Sequence, residues 1–296
     1  MYLTSDASGI ENPTTSRCDN LVMYSSIKRL ETKLPFHNFG VKYVMEGEEI
    51  YRLKDEEYVL QPGEYLLTNH YCEGGVLIDS KSDVKGICID VRNEVLTEVL
   101  SGQVFPDEVC NIFAETSFFT SADFMEKKFG ARQAYVGKFM LQLENTIKPD
   151  PYKKYQFSDE FYYHLCENII KDYVPVLKQL QSINSKKIST KKEILKKVEL
   201  GKKYLDSNIV KDINIADVAM ECCMSEYHFF RLFRQIYGQS PYQYLKDIRL
   251  HKARNLLQNS RKSLEQVAFE VGYGDVYSLS KAYKQYFGLP PGKEKR

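Results

Sequence analysis

Residues 215–241 read IADVAMECCMSEYHFFRLFRQIYGQSP, and this stretch decides the fold because the chain repeats its plan. Asp217-Val218-Ala219 opens a short helix pattern, a turn follows, and Ser225 begins a second helix. The second helix spaces Phe229, Leu232, Phe233 and Ile236 at i, i+3, i+4, i+7, the stripe of one buried face. Gly238 ends it, since glycine accepts the left-handed backbone just past a helix terminus. Residues 266–291 return to the plan. Gln266-Val267-Ala268 opens a helix, Gly272 breaks it and Asp275 starts another. Leu279, Ala282, Tyr283 and Tyr286 form its stripe, and Gly288 stops it. Both copies run into proline, at Pro241 and Pro291. The first helices are offset by about 49 positions and the second helices by about 50, so the second turn is one residue longer.

Helix, tight turn and helix with an apolar inner stripe is the plan by which a second helix enters the DNA major groove. Two copies joined by one amphipathic helix make the signal far more specific than one. The residues that carry a resemblance are Ala219, Ser225, Phe229, Arg231, Phe233, Gly238, Ser240-Pro241, Tyr244-Leu245, Arg249-Leu250, Ala253, Leu256-Leu257, Ala268, Gly272-Tyr273, Lys284, Gly288 and Pro291. On these, residues 198–291 resemble the DNA-binding domain of the AraC/XylS family of bacterial transcription regulators. The resemblance implies double-stranded DNA as partner. It also implies a small-molecule effector, RNA polymerase and a second copy of the chain as further partners.

A length of 296 residues leaves room for two domains with proper cores. The net charge of +1 hides an asymmetry: residues 186–296 carry 22 Lys and Arg against 12 Asp and Glu, whereas residues 1–185 carry 19 against 28. A basic C-terminal third suits a polyanion and an acidic N-terminal part does not. The seven cysteines include no Cys-x-x-Cys pair, so no zinc ribbon or redox motif is predicted, and reduced thiols in the cytoplasm are expected. The N-terminus is polar, so no signal peptide is expected there, and with no apolar run of about 18 residues no membrane span is expected.

Residues 1–20 read as a loose arm. From Leu21 to Val91 short strands alternate with turn signals, among them Glu46-Gly47-Glu48 and Pro62-Gly63, which predicts a β-barrel or sandwich. Within the resemblance, Tyr58-Val59-Leu60-Gln61-Pro62-Gly63-Glu64-Tyr65-Leu66-Leu67 looks like the cupin-like sensor half of these regulators. Helical signal starts near Ala122, with Phe124, Phe129, Tyr135, Phe139, Met140 and Leu143 on one stripe. A long helix follows from Ser158, which Pro175 kinks or splits. These helices either form a dimer contact, as in the family, or cap the barrel within one subunit. The expected fold is thus α+β: a cupin-like sensor and dimerisation domain with C-terminal helices over 21–181, a basic linker over 182–197, and an all-α domain over 198–296 with two helix-turn-helix units joined by a linker helix.

The helix punctuation is consistent. Asn214 and Ser225 are N-caps, and Ser240-Pro241-Tyr242-Gln243 and Ser263-Leu264-Glu265-Gln266 are capping boxes. A continuous helix over about 241–257, with its stripe at Tyr244, Leu245, Ile248, Ala253, Leu256 and Leu257, would hold two readers about one DNA turn apart (~34 Å). Subtracting the buried stripe leaves Tyr227, Phe230, Arg231 and Arg234 facing outward in the first reader. Arginine takes guanine O6 and N7 with two parallel bonds, and Phe230 meets a thymine methyl or packs on the first helix. The second reader presents Tyr277, Ser280, Lys281 and Lys284, with Val276 and Ser278 at its start. Lysine lacks the fork of arginine, so the second unit is predicted to grip phosphates more than it reads bases. Cys222-Cys223 reads as a pair of small core residues.

His37 and His70 lack the spacing of a metal site, and no catalytic triad, phosphate loop or nucleophile elbow is present. No catalytic residue, metal or cofactor is therefore expected, and the effector, if one binds, has no assignable residues. The alternative reading is a cupin-type metal-dependent enzyme carrying a DNA-binding tail.

Overall fold

The computed structural model describes residues 1–6, 19–33, 36, 38–54, 56–102 and 118–294. His37, Cys18 and Cys110 fall outside them. The fold is mixed α/β, with an N-terminal sheet and a helical C-terminal part. It divides into two compact units, Met1–Lys178 and Gln179–Arg296.

Among the described residues eight strands form one sheet: β1 Tyr2–Asp6, β2 Leu21–Lys33, β3 Phe39–Glu46, β4 Glu49–Leu53, β5 Glu56–Leu60, β6 Glu64–Thr68, β7 Gly74–Val91 and β8 Lys127–Gly130. The order is β1-β2-β7-β3-β6-β8, and β4 pairs with both β5 and β7. Only β1 and β2 run parallel among these pairs. The path ends at β1 and β8, so the described pairings do not close the barrel that turn-punctuated strands lead one to expect. Gly47 and Gly63 adopt positive φ (85° and 79°) in the two predicted turns.

Several expectations change here. Residues 2–6 are a strand rather than a loose arm, because Tyr2 reaches the Pro151 carbonyl (2.5 Å) and packs edge-on against Tyr155. The strand ending at Val91 is not short: it runs over 18 residues from Gly74. Its pairing with β2 continues past its polar middle across an irregularity between Ile27 and Arg29. A helix α1 (Asn93–Gly102) was not expected, although Val95, Leu96, Val99 and Leu100 hold its buried stripe. The helical stripe predicted from Ala122 is in fact strand β8, followed by helix α2 (Tyr135–Ile147). Phe129 lies in the strand and stacks on Tyr65 across the β6–β8 pair.

Helix α3 (Asp159–Ser182) runs unbroken past Pro175, so the helix is not split. Helices α2 and α3 are fastened to one face of the sheet. Buried Asp172 of α3 accepts from the Tyr65 hydroxyl at 2.8 Å and from the backbone N–H groups of Tyr135 and Val136 at 2.8 and 2.9 Å. It thereby caps α2, whose own N-cap, Ala134, has no oxygen to offer. Tyr43 of β3 donates to Glu144 of α2 at 2.6 Å. Val136, Met140, Leu143 and Ile147 of α2 and Leu165, Ile169, Tyr173 and Leu177 of α3 are buried within one chain, whereas Tyr135, placed on the predicted stripe, is 53% exposed because it stands at the first turn of α2. On the other face of the sheet, Ile27, Val44, Leu53, Leu60, Leu66, Val76 and Val84 form a core.

Six helices make up the second part: α4 Ile188–Ser207, α5 Ile215–Glu221, α6 Glu226–Tyr237, α7 Pro241–Asn259, α8 Leu264–Glu270 and α9 Val276–Phe287. A short 3-10 turn follows at Pro291–Lys293. The basic linker expected over 182–197 shrinks to residues 183–187, because α4 already starts at Ile188 and buries Leu195 and Val198. Lysines between those apolar positions mask the stripe in the sequence.

Candidate nucleic-acid interface

The two helix pairs, α5/α6 and α8/α9, are built by the same local rules. Asn214 Oδ1 accepts from Ala216 N (3.1 Å), and Ser225 Oγ accepts from His228 N (3.3 Å). Both capping boxes form: Ser240 with Gln243 before α7, and Ser263 with Gln266 before α8. Asp275 Oδ1 accepts from Ser278 N at 2.7 Å and Oδ2 from the Ser278 hydroxyl at 2.8 Å. Those bonds, the backbone one first, hold the Asp275 carboxyl below the usual carboxylate range. Both second helices end on a left-handed glycine, Gly238 (φ 73°) and Gly288 (φ 78°).

The turns also correspond. Met224 N reaches back to the Ala219 carbonyl and Tyr273 N to that of Ala268, each at 2.9 Å, which is the six-to-one bond of a Schellman motif. The left-handed position of that motif is Gly272 (φ 79°) in the second pair and Cys223 (φ 53°) in the first. Cys222 is buried as expected, but Cys223 is exposed and not a core residue. Its place is set by backbone geometry, which adjacency to Cys222 does not reveal.

Packing fixes which face looks out. Phe229, Leu232, Phe233 and Ile236 are buried in α6, as the stripe predicts. In α9, Leu279 and Tyr283 are buried and join Leu250, Ala253, Leu257, Val267, Ala268 and Val271. Tyr286 is exposed, not part of the buried stripe; it turns toward His251 (3.2 Å). Leu250 of α7 is buried, a core residue that the predicted α7 stripe omits. Arg249 of α7 faces inward and donates to the carbonyls of Ile209 (2.8 Å) and Lys211 (2.7 Å), tying down the chain before α5. Glu294 closes the second pair, accepting from Tyr283 (2.5 Å) and Gln258 (2.9 Å) and pairing with Arg254 (3.1 Å).

The outward faces hold most of the predicted site. Tyr227 is 80% exposed and its counterpart Tyr277 75%. Arg231, Arg234, Lys281 and Lys284 are exposed. None of these four cationic groups is in an ion pair among the described residues. Phe230 and Ser280 are half-buried. Val276 packs onto the α7–α9 core, and the hydroxyl of Ser278 is spent on the Asp275 cap. Met220 and Phe269, the same position in the two first helices, are 68% and 57% exposed. Their offset equals that of the repeat, which is the signal that could have picked them out.

Among the described residues no group of three or more His, Cys, Asp or Glu is placed to hold a metal ion, and no helix is long and apolar enough to cross a membrane. The His70 ring lies tilted against that of Tyr71 and 3.4 Å from the Asn93 amide.

Residues 218–296 match a protein family described as a helix-turn-helix domain. The HTH-type transcriptional regulator ArgR of Pseudomonas aeruginosa is 29% identical over 91 residues, covering 31% of this chain and 28% of that relative's length. The uncharacterized HTH-type transcriptional regulator YbfI of Bacillus subtilis is 24% identical over 258 residues, covering 84% of this chain and 82% of its own. A crystal structure of an AraC-type transcriptional regulator from Chromobacterium violaceum is 29% identical and covers 34% of this chain and 90% of its own, with a TM-score of 0.33.

Proposed function

We propose, on the premise that residues 218–296 are an AraC-type helix-turn-helix domain, that this chain is a sequence-specific DNA-binding transcriptional regulator. The observation that carries the reading is the repeated outward face: two capped helices, each with a buried apolar side and an exposed side of one tyrosine and two unpaired cations. Such a face suits a negatively charged groove whose base edges accept hydrogen bonds.

In this reading α6 and α9 are the recognition helices of two helix-turn-helix units, joined by α7. Arg231 and Arg234 read bases, and Tyr227 and Phe230 supply apolar and phosphate contact. Lys281 and Lys284, with Tyr277, hold the backbone beneath the second unit. Val276 and Ser278 contribute by shaping the start of α9. The N-terminal unit is then a cupin-like sensor that binds a small molecule, shifting the population of arrangements in which both units, and two copies of the chain, engage DNA together. RNA polymerase is the partner that a bound regulator would recruit or block, and the cytoplasm is where all of these meet.

The test is selection of genomic DNA fragments by the full chain at ~150 mM and ~300 mM salt. Enrichment of a few upstream sites with two motifs about one helical turn apart is expected, with a steep loss at the higher salt. Recovery of all fragments alike would sink the proposal. The rival reading, a metal-dependent enzyme with a DNA-binding tail, would be favoured by stoichiometric iron or zinc in the purified protein.

A further inference from the structure

The sheet buries a lysine beside a cysteine. Lys42 on β3 and Cys88 on β7 are register partners, directly opposite one another in the antiparallel pair. Opposed side chains in such a pair begin with Cβ atoms only about 4.5–5.5 Å apart, so the backbone itself holds these two together. The Lys42 side chain is 8% exposed. Its nitrogen lies 2.6 Å from Cys88 Sγ and 3.0 Å from Asp90 Oδ1, and over the Phe36 ring at 5.8 Å.

The nitrogen–sulfur separation is the notable quantity. Hydrogen bonds from N–H to oxygen are about 2.7–3.2 Å long, and sulfur is the larger atom, so an N–H···S bond is longer still. A direct nitrogen–sulfur bond would be far shorter than 2.6 Å. One oxygen bonded to both atoms would hold them at about this separation, so the two side chains already stand where a bridge would put them. Cys88 is only partly buried, whereas Cys72, Cys166 and Cys222 are buried. Cys72 sits instead against Asn69 and Glu126.

We propose that Lys42 and Cys88 form an oxidative modification site, at which one oxygen atom comes to bridge the lysine nitrogen and the cysteine sulfur. The oxidant is a peroxide. In the first step the Cys88 thiol and one hydrogen peroxide give the sulfenic acid and water. Asp90 takes a proton from the Lys42 ammonium, leaving a free amine. The amine, the sulfenic acid and a second hydrogen peroxide then give the bridge and two waters. An N–O and an S–O bond join the residues, the thiol and the amine each lose one hydrogen, and each peroxide accepts two electrons. At rest the site is ammonium and thiol. Burial works against the Lys42 charge, but Asp90 and the sulfur more than offset this and raise its pKa. Burial, with Asp90, pushes the Cys88 thiol up to about 12. The first step is therefore slow, since the thiolate is the nucleophile, and the site answers sustained rather than brief exposure. The bridge would join β3 to β7 covalently and remove the cation that neutralises Asp90.

Peptide mapping of the native full chain after prolonged hydrogen peroxide treatment tests this. The Lys42 and Cys88 peptides should appear joined, about 14 Da heavier than their sum, and should separate on thiol reduction. Trypsin should fail to cut after Lys42 in that species. Cys88→Ser should abolish the joined peptide. Lys42→Arg keeps the charge beside Asp90 but offers no amine that can be deprotonated, so Cys88 should then progress to sulfinic acid. Either variant suffices if the other does not fold. The proposal is overturned if Cys88 in the parent chain is recovered unjoined, as thiol or sulfinic acid. It is equally overturned if the peptides join about 2 Da lighter than their sum, which is a direct sulfur–nitrogen bond.

Discussion

The two helix pairs share a plan and differ in the residue at the strained turn position and in the cations each presents outward. The first places a cysteine where the turn demands a left-handed backbone, while the second places a glycine there. The first presents two arginines outward, the second two lysines. The second is also tied at its far end by Glu294, whose carboxyl is held below the usual range by the Tyr283 hydroxyl above all, with Gln258 and Arg254 adding to it. A repeat can thus keep its caps, stops and apolar stripe and still divide the labour: a forked cation suits reading letters, a point charge suits holding on. The longer turn, with glycine at its left-handed position, lies under the second face.

Five measurements bear on that difference. The largest effect is expected from Arg231→Ala, which should remove about 1–3 kcal/mol of base discrimination under the first motif while leaving preferences under the second unchanged. Binding to a panel of single-base operator variants checks it, and equal flattening under both motifs would erase the proposed division. Next comes Gly272→Ala. A Cβ there would lie 2.5 Å from the Ile209 carbonyl oxygen and 2.9 Å from the Arg249 guanidinium. The left-handed backbone alone costs a non-glycine residue about 1–2 kcal/mol, so a loss of at least about 2 kcal/mol in chemical denaturation is expected. The mirror change, Cys223→Gly, should go the other way by about 0.5–1 kcal/mol, relief of the same backbone strain being partly offset by a freer unfolded chain. A destabilised Cys223→Gly would mean that the sulfur packs usefully and that the turns are not equivalent.

Smaller still is Lys281→Ala. It should weaken binding by a similar factor on all sequences and lower the slope of log affinity against log salt by about 1. Sequence-dependent loss would return base reading to the second unit. The smallest effect concerns acid. Ser225 caps α6 with a hydroxyl that does not titrate, whereas Asp275 caps α9 with a carboxylate of lowered pKa. A lowered carboxyl pKa contributes stability that is complete above its unfolded value and is lost as pH falls through the folded one. Protection of the Ser278 amide, its exchange relative to the intrinsic rate at each pH, should therefore fall below the ordinary carboxylate range, with that of His228 unaffected through its own cap. Parallel behaviour of the two amides would rule out the cap as the cause.

The C-terminal helices were legible because their signals are local. A stripe, a cap and a stopping glycine all fall within a dozen residues, and α6 shows each where the letters put it. The N-terminal sheet was less legible because its partners are distant. Strand β8 has four residues, two of them lysines, and becomes a strand only by pairing with β6 far upstream. Strand β1 likewise depends on β2 and on the Pro151 carbonyl. Most of the outward residues of the candidate site follow by subtraction from the stripe. Val276 and Ser278 do not, because the first is drawn into the core and the second into a cap, and neither fate has a sequence period.

Helix α7 is 19 residues long, about 28 Å at 1.5 Å per residue, and its residues take part in packing on both sides of it. Phe233 and Tyr244 face each other at one end (5.6 Å between ring centres), and Leu257 sits in the α8/α9 core at the other. A rod shared by two cores is a ruler that cannot be shortened without undoing both. For the evolution of a regulated promoter this means that the letters of a site can drift, and be followed by drift at the outward positions of α6. Insertion of even half a helical turn between the two motifs leaves the protein no corresponding move. On the proposed regulator reading, the promoters bound by this chain should therefore differ from one another by substitutions in the motifs and share one spacing between them.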